Sequence, residues 1–201
     1  LSLSKNTVDS LIYNRGAITS ETNVTVLRNG TVNAKYGQIV TLNATYTDDN
    51  GNSIYDPNLA FTVEGDEAIL PATYADGLYT AEYKISMMGE KAVTARLPYD
   101  VDTYNGLLDI GPATVILTID ANETIMRKQN ETITIKLVDE FGNLLNLSLP
   151  VVVQNSAEED VFSETITTQN GTYTFNLTGL GVDTYTITAV FSNDNYVPNP
   201  K

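Results

Sequence analysis

Apolar and polar residues alternate with a period of two along most of this chain, the pattern of β-strands with one buried and one wet face. Across 38–47, Val40, Leu42, Ala44 and Tyr46 fall on one face, with Thr41, Asn43, Thr45 and Thr47 on the other. Across 132–138, Ile133, Ile135 and Leu137 point one way, and Thr134 and Lys136 the other. Tyr79, Ala81, Tyr83 and Ile85 share a face, as do Tyr173, Phe175 and Leu177. The pattern predicts a last strand with Tyr185, Ile187, Ala189 and Phe191 inward and Thr184, Thr186 and Thr188 outward. Threonine suits such half-wet pleated surfaces. No segment of helical length shows a 3.6-residue period. Between the strands stand residues that tolerate positive φ: Asp49-Asn50-Gly51-Asn52, Asp76-Gly77, Phe141-Gly142-Asn143 and Asn170-Gly171.

The pattern occurs twice. Thr47-Asp48-Asp49-Asn50-Gly51-Asn52 returns as Val138-Asp139-Glu140-Phe141-Gly142-Asn143, and Asp76-Gly77-Leu78-Tyr79 returns as Asn170-Gly171-Thr172-Tyr173. From Gly51 to Gly142 is 91 residues, and from Tyr79 to Tyr173 is 94. A strand-rich repeat of roughly 90 residues is the size of one β-sandwich. The predicted fold is all-β: two tandem antiparallel sandwiches, 21–111 and 112–201, dividing at Gly111-Pro112 after the polar stretch 99–105. Residues 1–20 have no counterpart in the repeat and form an N-terminal extended arm too apolar for a plain linker.

Composition narrows the possibilities. The net charge of −14 argues against nucleic acid and against an anionic membrane surface. The chain has no cysteine, histidine or tryptophan, which removes disulfides, ordinary zinc sites and histidine acid–base chemistry. No apolar run approaches the roughly 18 residues of a membrane helix, so no direct membrane insertion is expected. The first residue is Leu1, which fits a processed chain or an excised segment.

Asp76-Gly77-Leu78-Tyr79 and Asn170-Gly171-Thr172-Tyr173 resemble the tyrosine-corner environment of immunoglobulin-like (Ig-like) sandwiches, with Ala81 and Phe175 where an antibody domain carries cysteine. The stretch from Gly179 to Tyr196 resembles the closing strand of prokaryotic Ig-like repeats, and so do the Asp-x-x-Gly-Asn turns at Asp48–Asn52 and Asp139–Asn143. Such repeats build archaeal adhesin-like proteins, S-layer proteins and thread-type extracellular filaments. The resemblance covers roughly residues 21–200. It implies two Ig-like sandwiches in an extracellular, structural or adhesive role at a prokaryotic and specifically archaeal cell surface, with no enzymatic activity. It also implies assembly into a homopolymer by β-strand donation; the alternative is a spacer or a sugar- or protein-binding segment of a larger adhesin, for which Tyr99, Tyr104 and Tyr196 are the available aromatics.

Candidate chemistry follows from the same residues. Asn23, Asn29, Asn43, Asn122, Asn130, Asn146, Asn170 and Asn176 each begin an Asn-x-Ser/Thr sequon, eight where composition alone gives about four, so N-linked glycans are expected partners. Asp48, Asn50, Asn52 and Asp56 place oxygens at spacings that could hold calcium, although the sixth loop position is Ser53 and not the glycine an EF-hand needs; a plain hairpin loop is the competing reading. Lys136 with Asp139 is a candidate isopeptide pair, against which the alternation places Lys136 outward. Glu158, Glu159 and Asp160 form an acidic cluster that reads as a solvated loop. Leu1, Leu3, Val8, Leu11, Ile12 and Tyr13 would be the inserted residues if the arm acts as a donor strand.

Overall fold

A computed structural model describes residues 23–26, 31–48, 50–98, 104–126 and 129–199; side chains are described from residue 33 onward, those of 104 and 105 excepted. The donor-strand candidates Leu1, Leu3, Val8, Leu11, Ile12 and Tyr13 lie outside the described residues, as do the sequon Asn29 and Tyr99. The protein is all-β, and no helix occurs among the described residues. It divides into two compact units between Gly111 and Pro112.

The first unit holds β1 (Asn23–Val26), β2 (Thr31–Lys35), β3 (Ile39–Thr47), β4 (Ala60–Val63), β5 (Leu70–Pro71), β6 (Thr73–Ala75), β7 (Leu78–Lys84), β8 (Gly89–Arg96) and β9 (Tyr104–Gly111). They form two sheets, β1-β3-β7-β6 and β2-β9-β8-β4-β5. This is an Ig-like sandwich: β3 and β7 take the places of strands B and E, while β4, β8 and β9 take those of C, F and G. Alternation sends Leu42, Ala44, Tyr46, Tyr79 and Tyr83 inward from one sheet, against Phe61, Val63, Val93, Ala95, Leu108 and Ile110 from the other.

The second unit holds β10 (Ala113–Asp120), β11 (Glu131–Asp139), β12 (Ser148–Gln154), β13 (Asp160–Thr167), β14 (Thr172–Leu177), β15 (Thr186–Ala189) and β16 (Tyr196–Pro198). Its sheets are β14-β11-β10-β16 and β13-β12-β15. Ile133, Ile135 and Leu137 of β11 face Leu149, Val151 and Val153, and all six are buried.

Four expectations are corrected here. Tyr79 and Tyr173 do not stand on strand F: β7 and β14 pair with β3 and β11, in the position of strand E, and the turns before them close hairpins or bends at the sheet edge. Nor is the strand carrying Ile187 and Ala189 the last one, because β16 follows it. Pairing is not wholly antiparallel either. Among the described residues each unit has one parallel contact, β2 with β9 and β10 with β16. Tyr104 and Asn105, read as the end of the polar boundary stretch, begin β9, whose Leu108 and Ile110 help to fill the first core.

Candidate functional site

The carboxylates that could have supported metal or acid–base chemistry are committed to loops. Asp48 Oδ1 accepts the backbone N–H of Asn50 at 2.9 Å and of Asn52 at 2.8 Å, while Oδ2 accepts Asn52 Nδ2 at 2.9 Å. Asp139 repeats the arrangement with Phe141 N–H at 2.9 Å, Asn143 N–H at 2.8 Å and Asn143 Nδ2 at 2.7 Å. Side-chain bonds of this kind close a turn without help from the rest of the fold. The Asn52 side chain, the Asn52 amide and the Asn50 amide hold the Asp48 carboxyl below its ordinary 3.8, partly opposed by desolvation.

A third loop of this geometry was not legible as a repeat. Asn155 Oδ1 accepts Ala157 N–H at 3.0 Å and Glu159 N–H at 2.9 Å, and Asn155 Nδ2 donates to Glu159 Oε2 at 2.9 Å. The left-handed position that Gly51 and Gly142 occupy at φ 79° and 84° is taken here by Glu158 at φ 61°. Asparagine replaces the aspartate and a non-glycine replaces the glycine, so the sequence signature is lost while the hydrogen bonds remain. The acidic cluster is therefore part of a turn: Glu159 serves Asn155, and Asp160 Oδ1 accepts from Gln154 Nε2 at 3.0 Å.

Asp56, the fourth calcium candidate, belongs to a separate turn. Its Oδ1 accepts Asn58 N–H at 2.8 Å and Asn58 Nδ2 at 3.0 Å. Among the described residues no group of three or more acidic side chains gathers at one point. The candidate isopeptide residues are not brought together: Lys136 is exposed on the outer face of β11, and Asp139 is buried in its turn.

One pair of clamps links sequence-distant parts of each unit. In the first, the Tyr79 hydroxyl donates to the Ile54 carbonyl at 2.9 Å and accepts the Asp56 amide at 2.6 Å. Burial pushes the Tyr79 hydroxyl above its ordinary 10.0. In the second unit, Thr168 Oγ1 donates to the Leu145 carbonyl at 2.7 Å and accepts the Leu147 amide at 2.9 Å. Leu145 and Leu147 lie 91 residues after Ile54 and Asp56, the offset of the loops themselves. Equivalent backbone groups are thus held by a tyrosine from the E-strand position in one unit and by a threonine just after β13 in the other. Tyr173 does not take that role and packs against Phe175, ring centroids 6.2 Å apart.

The sequons differ in accessibility. Asn176 is exposed on β14 and only its oxygen is engaged, accepting from Thr132 Oγ1 at 2.8 Å. Asn170 is exposed in a turn, and Asn130 is exposed just before β11. Asn43 points away from the core of its strand, half-buried. Asn146 accepts the Gly171 amide through Oδ1 at 3.3 Å. Asn122 is exposed too, but its side chain is engaged: Nδ2 donates to both oxygens of the buried Glu131, at 3.2 and 3.0 Å. Asn23 starts β1. Tyr196, one of the aromatics considered for a binding platform, sits edge-on to Phe191 with centroids 6.4 Å apart, against the second core.

No protein-family model matches the chain, and comparison with curated proteins finds no match. Among solved structures it is similar to the Yersinia pseudotuberculosis adhesin InvE, with TM-score 0.37 and 16% identity over 87% of this chain and 60% of that one. It is similar to the Escherichia coli adhesin FdeC, with TM-score 0.36 and 22% identity over 89% of this chain and 62% of that one. Domains 5–6 of the S-layer protein SbsC give TM-score 0.34 and 15% identity over 83% of this chain and 95% of that structure. The chain thus spans about three fifths of the length of the two adhesin structures. Both adhesins are bacterial, so the archaeal part of the resemblance gains nothing from them, and likenesses at this level say nothing of what the chain does.

Proposed function

We propose that this protein is an extracellular, non-enzymatic structural or adhesive module of a prokaryotic surface, glycosylated on its outer strand faces and assembled head-to-tail by donation of residues 1–20. The observation that supports it best is where its polar chemistry goes. Asp48, Asp56, Glu131 and Asp139 are bonded to nearby backbone and amide groups, and so stiffen loops and strand ends instead of converging on a shared pocket. The outer face of β11 and β14 presents Thr132, Lys136, Thr172, Thr174 and the sequon Asn176 to solvent. Two small sandwiches built this way give reach and protection, and an extended segment can join them end to end.

The test is light scattering with negative-stain imaging of the full chain and of Leu3→Asp and Leu11→Asp. The expected result is filaments from the wild type and shorter or no filaments from the variants, with unchanged thermal unfolding of the chain itself. Equal polymer length in all three removes strand donation from the reading.

A further inference from the structure

Asparagine followed by glycine carries its own electrophile and nucleophile. The side-chain carbon Cγ is within five-membered-ring reach of the next backbone nitrogen, and glycine has no Cβ to obstruct the approach. The chain holds four such pairs, at 29–30, 50–51, 105–106 and 170–171. Asn29-Gly30 lies outside the described residues, and Asn105-Gly106 is paired within β9 to Thr94 and Val93 of β8. Asn50-Gly51 stands in the loop after β3, and Asn170-Gly171 in the turn before β14.

The fold treats these last two pairs oppositely. Gly171 is buried, although Asn170 is exposed. The Gly171 carbonyl accepts the Leu137 N–H at 2.8 Å, and its own N–H donates to Asn146 Oδ1 at 3.3 Å, both partners lying outside the turn. A Cβ on Gly171 would fall 2.9 Å from the Leu137 carbonyl oxygen and 3.0 Å from Leu144 Cβ, so the peptide has no room to rotate. At Gly51 a Cβ would meet nothing within 4 Å beyond its chain neighbours, and Asn50, Gly51 and Asn52 are all exposed. The Gly51 N–H donates to the Asp48 carbonyl at 2.9 Å and the Asn50 N–H to Asp48 Oδ1 at 2.9 Å, both within the loop itself. Opening the Asn50 loop therefore breaks local bonds already in reach of water. Opening the Asn170 turn also breaks two bonds to the rest of its unit, which makes it about 30-fold rarer.

We propose that Asn50 is a site of spontaneous deamidation through Gly51, and that the fold holds Asn170 inert. The Gly51 nitrogen gives up its proton to hydroxide and bonds to Asn50 Cγ. The Cγ–Nδ2 bond breaks, ammonia leaves, and a succinimide ring remains. Water then opens the ring at one of its two carbonyls, leaving an aspartate or an isoaspartate. Only water is consumed, and each event adds one negative charge beside Asp48. The isoaspartate also routes the backbone through the side-chain carbon, which shifts the Asn52 amide from its place on Asp48 Oδ1. The loop thus carries a covalent mark of elapsed time that its counterpart at Asp139–Asn143 cannot acquire by this route, because Phe141 stands before Gly142 there.

The test is peptide mapping by mass spectrometry of the full chain, made without N-glycosylation because Asn170 begins a sequon. Samples are held at mildly alkaline pH, folded or in guanidinium chloride, and followed over time. The expected result in denaturant is conversion of both asparagines at comparable rates. In the folded chain Asn50 should convert about 30-fold faster than Asn170, or more. The product should be absent from Asn50→Gln, whose ring would need six members. Equal rates at the two sites in the folded chain overturn the assignment, and so does the same ratio in denaturant as in the fold. Product from the same peptide in Asn50→Gln overturns it too, by placing the reaction at Asn52. A folded chain that changes at neither site, while the unfolded chain converts both, shows the Asn50 loop to be as closed as the Asn170 turn and also refutes the proposal.

Discussion

Removing one hydroxyl measures how the first unit holds the loop between β3 and β4. Tyr79→Phe keeps the ring and its tilted contact with Tyr74, centroids 4.7 Å apart, and deletes only the oxygen that bonds Ile54 and Asp56. One net hydrogen bond contributes about 1 kcal/mol, and a stranded buried donor costs a further 1–3 kcal/mol or so. Ile54 is half-buried, so its carbonyl regains water, whereas Asp56 is buried and its amide does not. The sum is about 2–4 kcal/mol, a change of roughly 30- to 800-fold in the unfolding constant of that unit. Urea unfolding gives the energy, and hydrogen exchange at the Asp56 amide gives its location. Tyr173→Phe is the comparison and should stay within about 0.5 kcal/mol of wild type. A Tyr79→Phe chain as stable as wild type, with the Asp56 amide still protected, would refute the clamp. The counterpart Thr168→Val, at a fully buried site, should cost the second unit about the same.

Further outcomes follow from the same geometry. Glu158→Gly relieves a left-handed residue in a loop whose two relatives carry glycine there, and should raise the urea midpoint by the equivalent of about 0.5–1 kcal/mol. The Asp48 carboxyl is held below its ordinary value, so its contribution is complete above the unfolded-state pKa near 3.8 and is lost as the pH falls through the lower folded value. The stability gap between wild type and Asp48→Asn should therefore close in acid titrations followed by urea unfolding. For Tyr79 the folded pKa is raised, so its contribution is complete below about 10 and is lost as the pH rises through the higher folded value; Tyr79→Phe should show a shallower alkaline limb. Glycopeptide mass spectrometry of material from the native host should find Asn176 occupied and Asn122 bare. A sugar on Asn122 Nδ2 would replace one of its two hydrogens and crowd the carboxylate of buried Glu131.

Much of this protein is local and was legible in its residues. Alternation gave β3, β7, β11 and β14 their inward and outward faces. The Asp-x-x-Gly-Asn loops close through bonds spanning two to four residues, so a single pentapeptide carries the information. Lys136 points outward, as its place in the alternation predicts. Which strand lies beside which was decided by the tertiary structure, because every β-strand offers the same backbone groups and neighbours are chosen by the burial they complete. That is why β7 stands in the E position and not the F position. It is also why Tyr79 reaches back 25 residues to its carbonyl while Thr168 does the same work elsewhere. Burial belongs to this second class as well: Tyr185, Ile187, Ala189 and Phe191 alternate as cleanly as Ile133, Ile135 and Leu137, yet they are half-buried where those are fully buried, because burial depends on what packs across the strand and not on its alternation.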